Sequence, residues 1–131
     1  MNKKDLAAYK TNITMRSDTT ENAYRKFLEI QSNTPVNEKT CIFCNQELLV
    51  KKYTHWVILK NRYPYDRLFE VSHMLAPIRH AATESDLTVA EISELRNIKL
   101  GKILKYHMIV ENIGKRSSIK NHFHLHLLRF K

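Results

Sequence analysis

Near the C-terminus three histidines, His122, His124 and His126, occupy every second position of an otherwise apolar run. Alternate side chains of an extended chain share a face, so a strand here projects the three imidazoles to one side and turns Phe123, Leu125 and Leu127 to the other. One buried histidine is commonly a satisfied core residue, whereas three on one face point to a catalytic or ligand-binding surface, against chance clustering in a chain of seven histidines or a purely structural metal cluster. Neutral imidazole is a competent nucleophile towards phosphorus, and its ordinary pKa of about 6.5 leaves it mostly unprotonated at neutral pH. A flanking histidine can then serve as donor or proton shuttle. The second chemical signal is Cys41-Ile42-Phe43-Cys44, which holds both cysteines of the chain. In a reducing compartment this spacing marks a metal hook or a redox pair more often than a structural disulfide. Two free thiols packed in a core are the alternative.

To present its histidines on one face, the segment from Ile119 to Phe130 must be a strand. Asp18 followed by Glu21 resembles a capping box, and Ala23, Phe27 and Ile30 fall at helical spacing, which predicts a helix over 18–31. Ser32-Asn33-Thr34-Pro35-Val36-Asn37 clusters turn formers around a proline and reads as a linker, making the preceding helix an appendage. Residues 47–61 are rich in strand formers and predict two strands, with Lys51-Lys52 as the turn between them. Ser72 to Ile78 predicts a further short strand. Thr88 with Glu91 forms a capping box, and Leu87 against Ile92 fits a hydrophobic staple. A long helix follows to about Tyr106, packing an arc of Val89, Ile92, Leu95, Leu100, Ile103 and Leu104 on a sheet with its basic side exposed. The class is α+β.

With 131 residues, the chain is the size of one domain. Apolar residues at 43% and charged residues at 27% are ordinary globular usage. Only two glycines occur, which excludes Walker-type and Rossmann phosphate loops. The longest aliphatic or aromatic run, Trp56-Val57-Ile58-Leu59, is far short of the roughly 20 residues of a membrane helix. The first residues carry no apolar stretch behind Lys3-Lys4, so no signal peptide is read and the expectation is a cytoplasmic protein without a membrane partner. Net charge is +9, and residues 96–131 hold nine Lys or Arg against the single acid Glu111. Such a basic third concentrates phosphate-bearing ligands, whether nucleotide or nucleic acid. A solvated face kept for solubility is the bland reading.

The run His122-Phe123-His124-Leu125-His126-Leu127-Leu128 resembles the histidine triad (HIT) signature, His-apolar-His-apolar-His-apolar-apolar, at all seven positions. Further stretches match the same family in order: Cys41-Ile42-Phe43-Cys44, Asn61-Arg62-Tyr63-Pro64-Tyr65-Asp66, His73-Met74-Leu75-Ala76-Pro77-Ile78-Arg79-His80, Leu87-Thr88-Val89-Ala90-Glu91 and Asn112-Ile113-Gly114. The resemblance spans 41–130. Residues 1–40, outside it, are the N-terminal helical extension and linker, and the resemblance implies for residues 41–131 a HIT-like domain of α+β fold, an antiparallel sheet of about five strands carrying one long helix. It also implies a homodimer and a nucleotide hydrolase or nucleotidyltransferase working through a nucleotidyl-histidine intermediate.

By the same resemblance His124 is the nucleophile on the α-phosphorus, His126 contacts the phosphate or leaving group, Asn112 lies beside the phosphates, and Asn61 lies near ribose and base. Two thiolates with two imidazoles make a closed tetrahedral zinc site. Zinc-bearing relatives, among them the galactose-1-phosphate uridylyltransferase branch, imply His80 and His122 as the partners of Cys41 and Cys44, with the metal a staple rather than the reactive centre.

Many relatives precede the triad with a glycine-rich run, where this chain has Lys115-Arg116-Ser117-Ser118-Ile119-Lys120. Lys115, Arg116 and Lys120 would then supply the charge, and Ser117 or Ser118 the hydroxyl, of a substituted phosphate grip. Two further readings remain: a zinc-stabilised HIT domain without turnover that binds nucleotide or nucleic acid, and a catalytic metal held by the His-x-His pair, which lacks a nearby carboxylate other than Glu111.

Overall fold

The computed structural model describes residues 14–31, 40–113 and 122–131. Helix α1 (Asp18–Gln31) is followed by strands β1 (Leu49–Lys52), β2 (Trp56–Lys60) and β3 (Phe69–Pro77). A 3-10 turn (Glu84–Asp86), helix α2 (Val89–Gly101) and strands β4 (Met108–Val110) and β5 (Leu125–Phe130) complete the order. The five strands form one sheet in the order β1-β2-β3-β5-β4, and every pairing is antiparallel. This is the α+β architecture expected, and the triad strand β5 lies inside the sheet between β3 and β4.

The alternation predicted for the last segment holds over residues 123–127 and divides the sheet into two unlike faces, but the strand itself begins at Leu125 rather than Ile119, and residues 119–121 lie outside the described residues. Leu125 and Leu127 join Trp56, Ile58 and Leu75 in a core closed by Leu95 and Ile98 of α2, with Phe123 packed against it. On the opposite face Val57, Leu59, Met74 and Ala76 pack with Cys41 and Phe43 of the hook. In register, Met74 of β3 and Val110 of β4 flank His126.

Several local expectations are corrected. Lys51 and Lys52 lie within β1, paired to Ile58 and Val57, and the turn falls at residues 53–55, where the Tyr53 amide donates to the Trp56 carbonyl at 2.7 Å. Strand β3 begins at Phe69, three residues before the Ser72 start expected from the sequence, and runs nine residues. The cap of α1 is Ser17, whose Oγ accepts from the Thr20 amide, and Asp18 belongs to the first turn.

The capping box of α2 is formed as expected: Thr88 Oγ1 accepts from the Glu91 amide at 3.1 Å and Glu91 Oε1 from the Thr88 amide at 2.8 Å. The helix stops at Gly101, however, and it buries Glu91, Leu95 and Ile98. Of the predicted arc only Leu95 and Ile103 are buried, whereas Val89, Ile92, Leu100 and Leu104 are exposed, so the face packed on the sheet is narrower than the apolar spacing implied. Glu91 replaces an apolar residue on the buried side because its neighbours satisfy it. The Arg79 guanidinium lies 2.8 Å from its carboxylate and Trp56 Nε1 donates to its carbonyl at 2.9 Å. Burial pushes its carboxyl up, but the Arg79 and Thr88 hydrogen bonds outweigh that and hold it below the usual range. Strand β4, three residues long, is a fifth strand that the periodicity did not place.

Candidate functional site

His122, His124 and His126 lie on the hook-bearing face and are all buried. Of the three, only His126 lies within β5; His122 and His124 lead into it. Each meets a different set of neighbours.

At the first histidine, Nε2 lies 2.7 Å from the Pro77 carbonyl. A carbonyl only accepts, so Nε2 carries the proton and Nδ1 is bare. That bare nitrogen faces Cys41 Sγ at 3.2 Å, Cys44 Sγ at 3.6 Å and His80 Nδ1 at 3.2 Å, while Cys44 Sγ lies 3.1 Å from His80 Nδ1. All four ligand atoms fall within 4.8 Å of one another. A tetrahedron with zinc bonds of about 2.0–2.3 Å separates its donors by roughly 3.3–3.8 Å, so a donor set of two sulfurs and two imidazole nitrogens at these spacings fits a closed metal site. The Pro77 carbonyl is the outer-shell partner that fixes the ligand tautomer. Burial lowers the His122 pKa to about 4 against the opposing Pro77 bond, with His80 and His124 adding to the fall, so this ring stays neutral and able to ligate.

The hook is a tight turn. Asn45 and Glu47 amides donate to the Cys41 and Ile42 carbonyls at 3.1 Å each, and Asn45 Nδ2 donates to the Cys41 carbonyl at 2.7 Å. Gln46 and Leu48 sit at φ of 50° and 56°, left-handed conformations that side-chain-bearing residues hold only when their surroundings enforce them. The hook also lays Phe43 against the triad, its ring centroid 5.0 Å from that of His122 and 5.1 Å from that of His124.

The middle histidine is set by its own strand. His124 Nδ1 lies 3.0 Å from the His122 carbonyl, which again can only accept, so the proton sits on Nδ1 and Nε2 offers its lone pair. Burial lowers the His124 pKa against the pull of that carbonyl, which favours the neutral ring.

At the third histidine, Nε2 lies 3.3 Å from both the Tyr65 hydroxyl and Asn112 Nδ2, and Asn112 Nδ2 also donates to the Tyr65 oxygen at 2.8 Å. An amide NH2 cannot accept, so Nε2 of His126 is the acceptor and its proton sits on Nδ1. Nδ1 is buried and has no hydrogen-bond partner among the described residues. Burial, then the nearby His124 and Arg16, lower the His126 pKa to about 3. Its ring centroid lies 5.2 Å from that of His124.

Asn61, which follows β2, accepts from the Tyr63 amide through Oδ1 at 3.0 Å, while its Nδ2 is buried and has no hydrogen-bond partner among the described residues. Buried polar groups almost always have partners, so two orphaned N–H groups, on Asn61 and His126, favour a ligand. The structure thus brings Cys41, Cys44, His80 and His122 together at one end of the triad, and Asn112 and His126 at the other. Ser117, Ser118 and Lys120 lie outside the described residues, as do Lys115 and Arg116. Arg96, Lys99, Lys102 and Lys105 of the basic third are exposed on α2 and the segment after it. Tyr65 and Arg16 were given no role from the sequence. Tyr65 stood in the quoted Tyr-Pro-Tyr turn, and its signal was a phenol next to a candidate ribose residue.

No helix among the described residues is long and apolar enough to cross a membrane. No protein-family model matches this chain, and no curated protein matches it. Solved structures do. A histidine triad nucleotide-binding protein from Candida albicans is 21% identical with a TM-score of 0.53, covering 70% of this chain and 76% of its own. A HIT family hydrolase from Legionella pneumophila Philadelphia 1 is 22% identical with a TM-score of 0.51, over 67% of this chain and 90% of that one. A histidine triad protein from Clostridium difficile is 19% identical with a TM-score of 0.52, over 73% and 96%. At such identities the likeness speaks for the fold, and together with the sheet order and the triad strand it shows that this chain has the HIT-like fold.

Proposed function

We propose that the protein is a nucleotide hydrolase or nucleotidyltransferase that attacks the α-phosphorus of a mono- or dinucleotide with His124. The observation that carries this reading is the 3.0 Å contact of His124 Nδ1 with the His122 carbonyl, which leaves the Nε2 lone pair as the one reactive atom of that ring. Nε2 forms the nitrogen–phosphorus bond as the bond to the leaving group breaks, and the electron pair of that bond departs with the leaving atom, a phosphate oxygen from a dinucleoside polyphosphate or an amine nitrogen from a phosphoramidate, the amine taking its proton from solvent. The positive charge placed on the ring is stabilised by the Nδ1–H bond to the carbonyl. Attack by water or another acceptor then breaks the nitrogen–phosphorus bond and returns neutral His124. With water the acceptor, its proton passes to solvent.

His126 keeps its proton throughout and donates a hydrogen bond from Nδ1 to a phosphoryl or leaving oxygen, which accounts for the unpartnered N–H. Asn112 lies beside the phosphates and Asn61 Nδ2 meets the ribose or base. Ser117, Ser118 and Lys120 complete the phosphate grip in the reading from sequence. Cys41, Cys44, His80 and His122 would hold zinc, which supplies structural cross-linking and no reactive position. Exposed Met108 and Ile109 on edge strand β4 support a homodimer closed by a second copy, and a cytoplasmic setting suits a Cys41–Cys44 pair that is not joined in a disulfide.

The test is turnover of adenosine and guanosine phosphoramidates and dinucleoside polyphosphates by wild type and His124→Ala. Wild type should release the mononucleotide, and the variant should lose at least about 10³-fold in kcat while a nucleotide still raises its melting temperature. Full turnover by His124→Ala would overturn the reading. Nucleotide binding without turnover by wild type would favour a binding module instead, and steep loss of polynucleotide affinity with salt would extend that module to nucleic acid.

A further inference from the structure

The triad face is closed on one side by residues outside the HIT resemblance. The segment before α1 docks on the turn after Asn61 through several separate contacts. The Arg67 amide donates to the Met15 carbonyl at 2.9 Å, and Arg67 Nε lies 3.1 Å from the carbonyls of Thr14 and Arg16. Asp66 accepts from the Ser17 amide at 2.7 Å, from Ser17 Oγ at 3.1 Å and from Thr20 Oγ1 at 2.7 Å. Met15 packs on the Tyr65, Phe69 and Leu128 cluster.

This docking fixes Arg16. Its Nε donates to the Tyr63 carbonyl at 2.7 Å, and its guanidinium carbon lies 3.9 Å from the Tyr24 ring centroid and 4.8 Å from that of Tyr65. The side chain is 12% exposed, and its carboxylate contact among the described residues, Glu21, is loose at 3.7 Å. A desolvated guanidinium between two phenol rings orients both by cation–π attraction. The second of those rings continues into the histidine site: the Tyr65 and His126 centroids are 4.8 Å apart, and the Tyr65 hydroxyl meets His126 Nε2. Arg16, Tyr65 and His126 form a continuous stack from the N-terminal segment to the triad.

We propose that Arg16 is a positioning residue of the histidine site, holding the Tyr65 ring so that its hydroxyl stays on His126 Nε2 and the His126 proton stays on Nδ1. The consequence for catalysis rests on the reading of His126 as the group that meets the substrate's phosphate. The geometry on which the tautomer depends does not. Without the guanidinium, the Tyr65 ring loses the partner on its outer face and Asn112 alone restrains Nε2. The proton of His126 can then move to Nε2, which turns the bare nitrogen towards the substrate and removes the donated hydrogen bond. The N-terminal segment is therefore part of the active site wall, and its removal acts on chemistry as well as on stability.

The test uses the full chain with uniformly 15N-labelled histidine. Long-range 1H–15N spectra of the ring nitrogens distinguish the two neutral tautomers, with His126→Gln supplying the assignment, and kcat and KM are measured on whichever nucleotide wild type turns over. Wild type should show His126 protonated on Nδ1. Arg16→Met should mix the tautomers and lower kcat about tenfold with KM within about twofold, and Arg16→Lys should restore part of both. Should Arg16→Met fail to fold, Arg16→Gln, which keeps an N–H for the Tyr63 carbonyl, carries the same comparison. An Nε2-protonated His126 in wild type would overturn the proposal outright. So would Arg16→Met with tautomer and kcat unchanged and only the melting temperature lowered. If His124→Ala retains turnover, the functional reading fails, while the tautomer spectra still decide whether Arg16 positions Tyr65.

Discussion

The two ends of the triad begin as the same residue type on the same strand face and end as different chemistry. At His122 the ring is turned by a backbone carbonyl to present Nδ1 to two sulfurs and a second imidazole. At His126 the ring accepts from a phenol and an amide through Nε2 and keeps a buried N–H with no partner. One end is saturated with donors suited to a cation and leaves no position for a substrate; the other is one hydrogen bond short. The neighbours brought by other elements, the hook at one end and Tyr65 with Asn112 at the other, assign the roles that identical side chains cannot. His124, between them, has its tautomer set by the His122 carbonyl and its ring flanked by Phe43 and His126.

The largest expected effect comes from breaking the first end. Cys44→Ser, or removal of the metal with a strong chelator, should lower stability by about 3 kcal/mol or more, a fall of roughly 10 °C in Tm. The left-handed Gln46 and Leu48 then lose the constraint that holds them, and hydrogen exchange should rise first in residues 41–48. If the chelated protein melts as before, the four residues are a packed polar cluster and no staple.

Acid should act next, at the second end. His126 has a folded pKa of about 3, below its ordinary 6.5, because burial first, and then His124 and Arg16, disfavour its charged form. A proton therefore prefers the unfolded chain. This group's contribution is fully present above about pH 6.5 and is lost as pH falls towards 3, at up to about 1.4 kcal/mol per unit. Between pH 7 and pH 5 the expected loss from it is about 2 kcal/mol, and His126→Asn should show a shallower decline in Tm over the same range. Equal slopes would place the acid sensitivity elsewhere.

The smallest effect sharpens the contrast. Tyr65→Phe removes one buried hydroxyl and should cost about 1 kcal/mol of stability while lowering kcat about fivefold to tenfold. A change at the second end should thus be felt more in rate than in Tm, the reverse of Cys44→Ser. If Tyr65→Phe alters Tm alone, the Asn112–Tyr65–His126 contacts are packing.

What the sequence disclosed follows from the range of each signal. A period of two over residues 122–127 and a two-residue gap between cysteines are local, and both survive into the structure as one face and one hook. The capping box of α2 was equally legible, since all its atoms lie within four residues. The end of α2 was misread because an apolar arc was extended past Gly101, although the exposed Leu100 and Leu104 face away from the core. Strand β4 is too short to show a period and exists because β5 offers it an edge. Asn112 reached the site list by resemblance, but Tyr65 and Arg16 meet only through contacts 49 residues apart in the chain, such as Ser17 with Asp66, which no local pattern encodes.

The central claim is the nucleophile, and intact-protein mass spectrometry tests it most directly. Wild type and His124→Ala are incubated briefly with adenosine and guanosine phosphoramidates or dinucleoside polyphosphates, then denatured at neutral and at acidic pH. The account predicts a mass increase of one nucleotidyl group on wild type alone, retained at neutral pH and lost in acid. The same adduct on His124→Ala, or product formed by wild type with no adduct at any time, would contradict it.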